Sequence, residues 1–309
     1  MEVRKFSLIN SNKETCDFML DEDEESLISN FLHSPTGLGI NRNDSFLRLG
    51  DKFIRTNKQI SQPAPSGSIA FIGNSNNEVY QKYHSFVKFI SKEPLKLIYK
   101  PENINYTMDV VVSNLEKSEI NEQGYLDCSI RFSGLTPWYK MVKLDYKDGS
   151  GLVPSESLHP SGSLVPRNQT NGRIMEYFNE GTLEAKTRLI IYGPIKNPQW
   201  EFWDSLGVSS GLVNVELTSS QVLVVDCITT PYKIYRIPTS EVSKIYDNPN
   251  LEMINALADM YDSSDFSTKR FVTFLPNTNN YFQILNPQTE VINKPTRIVL
   301  DIMESYESV

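Results

Sequence analysis

Histidine and cysteine are scarce, with three of each in 309 residues. His33, His84 and His159 are not spaced i, i+4, and none has a cysteine at ligand distance in sequence, so no zinc-type set is present. Cys16, Cys128 and Cys227 are odd in number and far apart, and two lie in strand-like runs, which reads as buried free thiols rather than disulfides or metal ligands. No apolar run reaches the roughly 18 residues of a membrane span. The opening MEVRKFSLINSNKE lacks the apolar centre of a signal peptide, so synthesis is expected to stay in the cytoplasm. The glycosylation-type triplets headed by Asn43, Asn105 and Asn168 then carry no weight. A basic excess is missing too. Thirty Lys and Arg against 38 Asp and Glu leave a net charge of −8, the opposite of a nucleic-acid footprint. The deficit is uneven: residues 1–146 hold 17 basic and 19 acidic side chains, and residues 147–309 hold 13 and 19.

What the chain does have is apolar content of 39% and aromatic content of 11%, enough for well-packed cores. Its length favours two domains. Residues 1–146 carry short strand candidates at Phe6–Ile9, Lys52–Arg55, Ser68–Ile72 and Leu95–Tyr99. Val79, Tyr83, Phe86, Val87 and Ile90 recur at three- and four-residue spacing and predict a helix over Val79–Ile90, with Asn76 placed to cap it. Leu126, Cys128, Ile130 and Phe132 alternate with polar residues, the pattern of a half-buried strand. From Asp148 to Gly172, 12 of 25 residues are Gly, Pro or Ser and periodicity disappears. Residues 147–172 therefore read as a linker or exposed excursion.

After Gly172 strand patterns resume at Thr187–Tyr192, Leu212–Thr218, Gln221–Ile228, Lys233–Ile237, Phe271–Phe274, Tyr281–Leu285 and Arg297–Met303. Such a series, joined by turn residues, describes an antiparallel sandwich over 173–309. Pro249 followed by LEMINALADM adds one short helix. The expected fold class is therefore mainly β, in two domains, with one strong helix in the first.

The order of these words along YQKYHSFVKFI, PLKLIYKP and NLEKSEINEQGYLDCSIRFSGLTPWY resembles the N-terminal domain of the distal tail proteins of siphophages that infect Gram-positive bacteria. IIYGPIKNPQW and FLPNTNNYFQILN are similar to the C-terminal sandwich of the same family. The resemblance implies an N-terminal β-sandwich with one flanking helix and a C-terminal sandwich like galectins or carbohydrate-binding modules. It implies a structural virion protein, not an enzyme: a tail-tip hub whose N-terminal domains close a homohexameric ring. Its partners would be further copies of itself, the tail tube protein, a tail-associated lysin or spike protein and a receptor-binding protein, with no cofactor, no sequence-specific nucleic acid and no membrane insertion. A monomeric module that binds cell-wall carbohydrate is the other reading left open.

Three features could carry chemistry. Gly207-Val208-Ser209-Ser210-Gly211 fits the nucleophile-elbow pattern, but all three histidines precede Ser209 and a strand-like run follows, so a Gly/Ser turn is the better reading. The acidic run Asp21–Glu25 lacks the mid-loop glycine of a calcium loop and reads as solvated. Trp200 and Trp203 could stack on a sugar; equally, Trp200 and Phe202 share one side of an extended run, as core residues do.

Overall fold

The computed structural model describes residues 5–18, 35–40, 42–57, 59–101, 103–122, 124–147, 153–154, 174–247, 251–260, 271–285 and 297–309. The fold is mainly β, as the sequence leads one to expect. The chain divides into two compact units, Met1–Lys140 with Tyr306–Val309, and Met141–Ser305. Composition sets the boundaries at 146 and 173. Strand β9 (Trp138–Lys147), however, runs through 146 without a break, so the change at Asp148 marks the end of a strand. The excursion 147–172 lies outside the described residues except for Lys147 and β10 (Val153–Pro154), which pairs with β9.

In unit 1, β1 (Lys5–Ile9) pairs with β2 (Thr15–Asp17) and with β6 (Leu95–Lys100). The antiparallel order then runs through β7 (Tyr106–Ile120) and β8 (Tyr125–Gly134) to β5 (Ser66–Ile72). Alternate residues of these strands, among them Phe6, Leu8, Leu97, Met108, Leu126 and Phe132, form the core. Helix α1 (Asn76–Ile90) closes over it with Val79 and Phe86 buried. Phe86 packs against Phe71 of β5 at 5.7 Å and Phe18 at 6.5 Å. The cap is Ser75 and not Asn76: the Ser75 hydroxyl accepts from the Glu78 backbone N–H at 3.3 Å, and the Glu78 carboxylate accepts from the Asn74 N–H at 2.8 Å. This reciprocal arrangement resembles a capping box. One further hairpin, β3 (Ser45–Leu49) with β4 (Lys52–Asn57), forms a two-stranded sheet of its own.

Unit 2 is an antiparallel sandwich. One layer contains β19 (Asp259–Met260), β18 (Lys233–Pro238), β17 (Gln221–Asp226), β12 (Ala185–Tyr192) and β22 (Arg297–Tyr306), side by side in that order. The other is a four-stranded sheet ordered β11 (Ile174–Phe178), β21 (Asn279–Leu285), β14 (Gln199–Asp204), β15 (Gly207–Leu212). Leu189, Ile191, Leu223, Val225, Leu300 and Ile302 of the first layer meet Trp200, Phe202, Phe282 and Ile284 of the second in one core. The run expected as a single strand, Leu212–Thr218, instead ends β15 at Leu212 and resumes as the short β16 (Glu216–Leu217), which pairs with β13 (Ile195–Lys196).

The outer side of the first layer is also buried. Helices α2 (Val242–Asp247) and α3 (Leu251–Leu257) supply Val242, Ile245 and Ile254 against Ile190, Val222, Val224, Ile237 and Val299. Under these helices the strands carry a rung of alternating charge. Lys233 stands opposite Asp226, Asp226 opposite Arg188, and Arg188 opposite Asp301.

Candidate assembly surface

Every residue of β3 and β4 is exposed. Their register sets Phe46 beside Arg55 and Arg48 beside Phe53 on one face, and Leu47 beside Ile54 and Leu49 beside Lys52 on the other. Phe53 is 70% exposed, Phe46 59% and Leu49 55%. A hairpin apolar on both faces has no core of its own, and an isolated two-stranded sheet is marginal in water. Its local bonds hold its shape. Gly50, at φ +61, makes the turn, and the Arg48 Nε donates to the Gly50 carbonyl at 3.0 Å. Arg55 pairs with Asp44 at 3.2 Å. At the root, Arg42 bridges to Ile60 through the backbone and forms an ion pair with Glu307, so the chain end anchors the hairpin. Sequence reasoning found only Lys52–Arg55. The missed signal is the Leu-Gly-Asp turn between two short apolar-rich runs, SFLRL and KFIR.

The features singled out for chemistry fall elsewhere. Ser209 lies within β15 opposite Phe202, on a strand and neither on a strand-to-helix elbow nor in the Gly/Ser turn expected from the sequence. Gly211 is explained by packing: a Cβ there would stand 2.4 Å from the Trp200 indole. Trp200 itself is 0% exposed, in the sandwich core, so it offers no face to a sugar and that half of the stacking expectation is corrected. Trp203, on the opposite side of β14, is part-exposed and stacks on Tyr281 with ring centroids 5.5 Å apart. His84 is exposed on α1; His33, His159 and Asp21–Glu25 lie outside the described residues. The three thiols are free. Burial pushes Cys128 up to about 11 and Cys16 up to about 12, and it raises Cys227 as well, which keeps them protonated and unreactive near neutral pH. Among the described residues no cluster of His, Cys, Asp or Glu could hold a metal ion, and no helix is long and apolar enough to cross a membrane.

The charged rung is the strongest electrostatic feature of unit 2. Arg188 meets Asp226 at 3.0 Å with both side chains buried. Asp301 accepts a hydrogen bond from the Tyr246 hydroxyl of α2 at 2.8 Å, and burial raises its carboxyl above the usual range despite that bond and the nearby Arg188 and Lys143. Lys143 lies 4.8 Å over the Tyr246 ring, and Lys233 donates to Asn255 of α3 at 2.8 Å. These contacts fasten both helices to the sheet. The rung is closed off by them and reads as structural.

Residues 5–135, nearly all of unit 1, match the family model described as distal tail protein, N-terminal domain. The resemblance drawn from the sequence is borne out there. Over the whole chain the fold is similar to a chain of the phage P2 baseplate in its activated conformation with Ca, at 14% identity, complete coverage of both chains and a TM-score of 0.59. The same baseplate with Sr gives 15% identity, complete coverage of both chains and 0.57. The crystal structure of SPP1 Dit, titled a paradigm of the hub adsorption apparatus in phages infecting Gram-positive bacteria, gives 8% identity over 97% of this chain and 98% of that one, with a TM-score of 0.58. At these identities the likeness is one of fold. No curated protein matches the chain.

Proposed function

We propose, from the premise that residues 5–135 belong to the distal tail protein N-terminal domain family, that the chain is a structural hub of a phage tail tip. In this reading unit 1 closes a homohexameric ring on the end of the tail tube. The tail-associated lysin or spike protein attaches below it, and unit 2, a galectin-like sandwich, faces outward where receptor-binding proteins dock. The protein works as part of the virion after synthesis in the host cytoplasm.

The observation that carries the reading is the coincidence of that family match with a two-sided apolar hairpin in the same unit. Phe46, Leu47, Leu49, Phe53 and Ile54 form a patch that a soluble monomer would leave open to aggregation. A head-to-tail contact in which each hairpin embraces the next copy covers both faces and closes when the rotation completes a ring. The arrangement is non-catalytic: it supplies surfaces, not a nucleophile and base.

Light scattering on the full chain tests this. A particle of six times 35.3 kDa is expected, with Phe53→Asp shifting it to monomer while the circular dichroism of the chain is retained. A wild-type monomer at all concentrations, both alone and with tail tube protein, would favour the carbohydrate-module reading instead.

A further inference from the structure

We propose that the outward face of the four-stranded sheet in unit 2 binds a neutral saccharide, with Trp203 and Tyr281 as the stacking surface. The strands β11, β21, β14 and β15 send Met175, Tyr177, Phe282, Ile284, Trp200 and Phe202 into the core. Strand alternation then sends their neighbours outward. Register aligns them in two rungs: Glu176, Tyr281, Trp203 and Val208 across one, Gln283, Glu201 and Ser210 across the next. The Trp203 and Tyr281 rings lie 10° from parallel and form one apolar strip in the middle of the sheet.

Polar groups border that strip and are already oriented. The Tyr281 hydroxyl donates to Glu176 at 3.2 Å, and the Gln283 amide donates to Glu201 Oε2 at 2.9 Å. Each carboxylate retains acceptor capacity beyond its one side-chain bond. A pyranose has the matching duality: a C–H face suited to an aromatic ring and a rim of hydroxyl donors suited to carboxylate and amide oxygens.

Charge narrows the class. The four strands contain Glu176, Glu201 and Asp204 and not one Lys or Arg. A polymer bearing phosphates or carboxylates would meet repulsion and no cation on these four strands, whereas neutral hexose or N-acetylhexosamine units meet no such repulsion. The face thus selects uncharged glycans. It does so whether or not the chain forms a ring, since none of these residues belongs to the hairpin.

The three tryptophans make the test direct. Trp138 and Trp200 are buried in the two cores, so acrylamide quenching of the full chain's fluorescence reports chiefly on Trp203. Chitotetraose or cellotetraose at millimolar concentration is expected to protect that signal, and poly(glycerol phosphate) is not. Calorimetry with the same tetrasaccharides should show at least tenfold weaker binding for Trp203→Ala and several-fold weaker binding for Glu201→Gln, with the melting curve of Glu201→Gln unchanged. No protection by either neutral tetrasaccharide overturns the proposal. So does binding of the phosphate polymer in their place, or undiminished binding by both variants, which would leave the ring pair as sheet packing alone.

Discussion

At the scale of single residues, the buried rung sets a testable pH dependence. Burial holds the Asp301 carboxyl above its ordinary value near 3.8 in the folded state. A carboxyl raised on folding binds its proton more tightly in the native state, so its contribution to stability is fullest below the unfolded value and falls as pH rises through the folded one. In Asp301→Asn that loss disappears, while the amide oxygen can still accept the Tyr246 hydroxyl. Denaturant unfolding at pH 4 and pH 7 should therefore show the variant gaining on the wild type as pH rises. A constant difference would mean that Arg188 and Lys143 fully offset the burial of charge. Gly211 gives a second case. Its backbone lies against the Trp200 indole, so Gly211→Ala forces the ring or the strand to move and is expected to cost about 1–3 kcal/mol. A melting temperature unchanged in that variant would show that the core yields freely.

At the scale of elements, legibility followed burial. The stripe from Val79 to Ile90 was readable because one side of α1 is pressed on a sheet, and Leu126–Phe132 because β8 has one buried face. Strand β7 escaped notice over its 15 residues because its far half, Asn114–Ile120, runs mostly through solvent with two register shifts and shows no alternation. Strand β12 ends in a continuous apolar run, Leu189–Tyr192, since helices cover the face that a simple sandwich leaves wet. The hairpin β3–β4 was half legible: the adjacent apolar pairs Phe46-Leu47 and Phe53-Ile54 break the alternation of a half-buried strand, and nothing in one sequence says that both faces are bare. Trp200 and Trp203 sit three residues apart, and only the pleat decides which enters the core. For α1 itself, Phe86→Ala removes a ring packed on Phe71 and Phe18 and should cost about 3–5 kcal/mol. Ser75→Ala removes only the cap and should cost about 1 kcal/mol. Chemical denaturation of the two variants measures both, and equal losses would contradict the assignment of Phe86 to the core.

At the scale of the molecule, the chain passes between its two units twice, at Lys140–Met141 and again at Ser305–Tyr306. The last four residues thus complete a unit begun 300 residues earlier. Tyr306 sets its ring edge-on to Tyr106 at 5.2 Å and joins the core of unit 1, and Glu307 pairs with Arg42 at the root of the exposed hairpin. The end of the chain is therefore coupled to the proposed assembly arm through contacts that sequence order conceals. Two variants separate these effects. Deleting Tyr306–Val309 strips a buried aromatic and should destabilise unit 1 by an amount on the order of 3 kcal/mol. Hydrogen exchange would then quicken in β1, β6 and β7 while β14 and β21 of unit 2 keep their protection. Glu307→Gln leaves Tyr306 in place and removes only the charge facing Arg42. It should spare the core amides yet loosen the hairpin root, and with it shift the oligomer toward monomer at low protein concentration. If Glu307→Gln assembled like the wild type while the deletion did not, the chain end would support the fold of unit 1 alone, and the hairpin would hold its position through Arg55, Asp44 and its own turn.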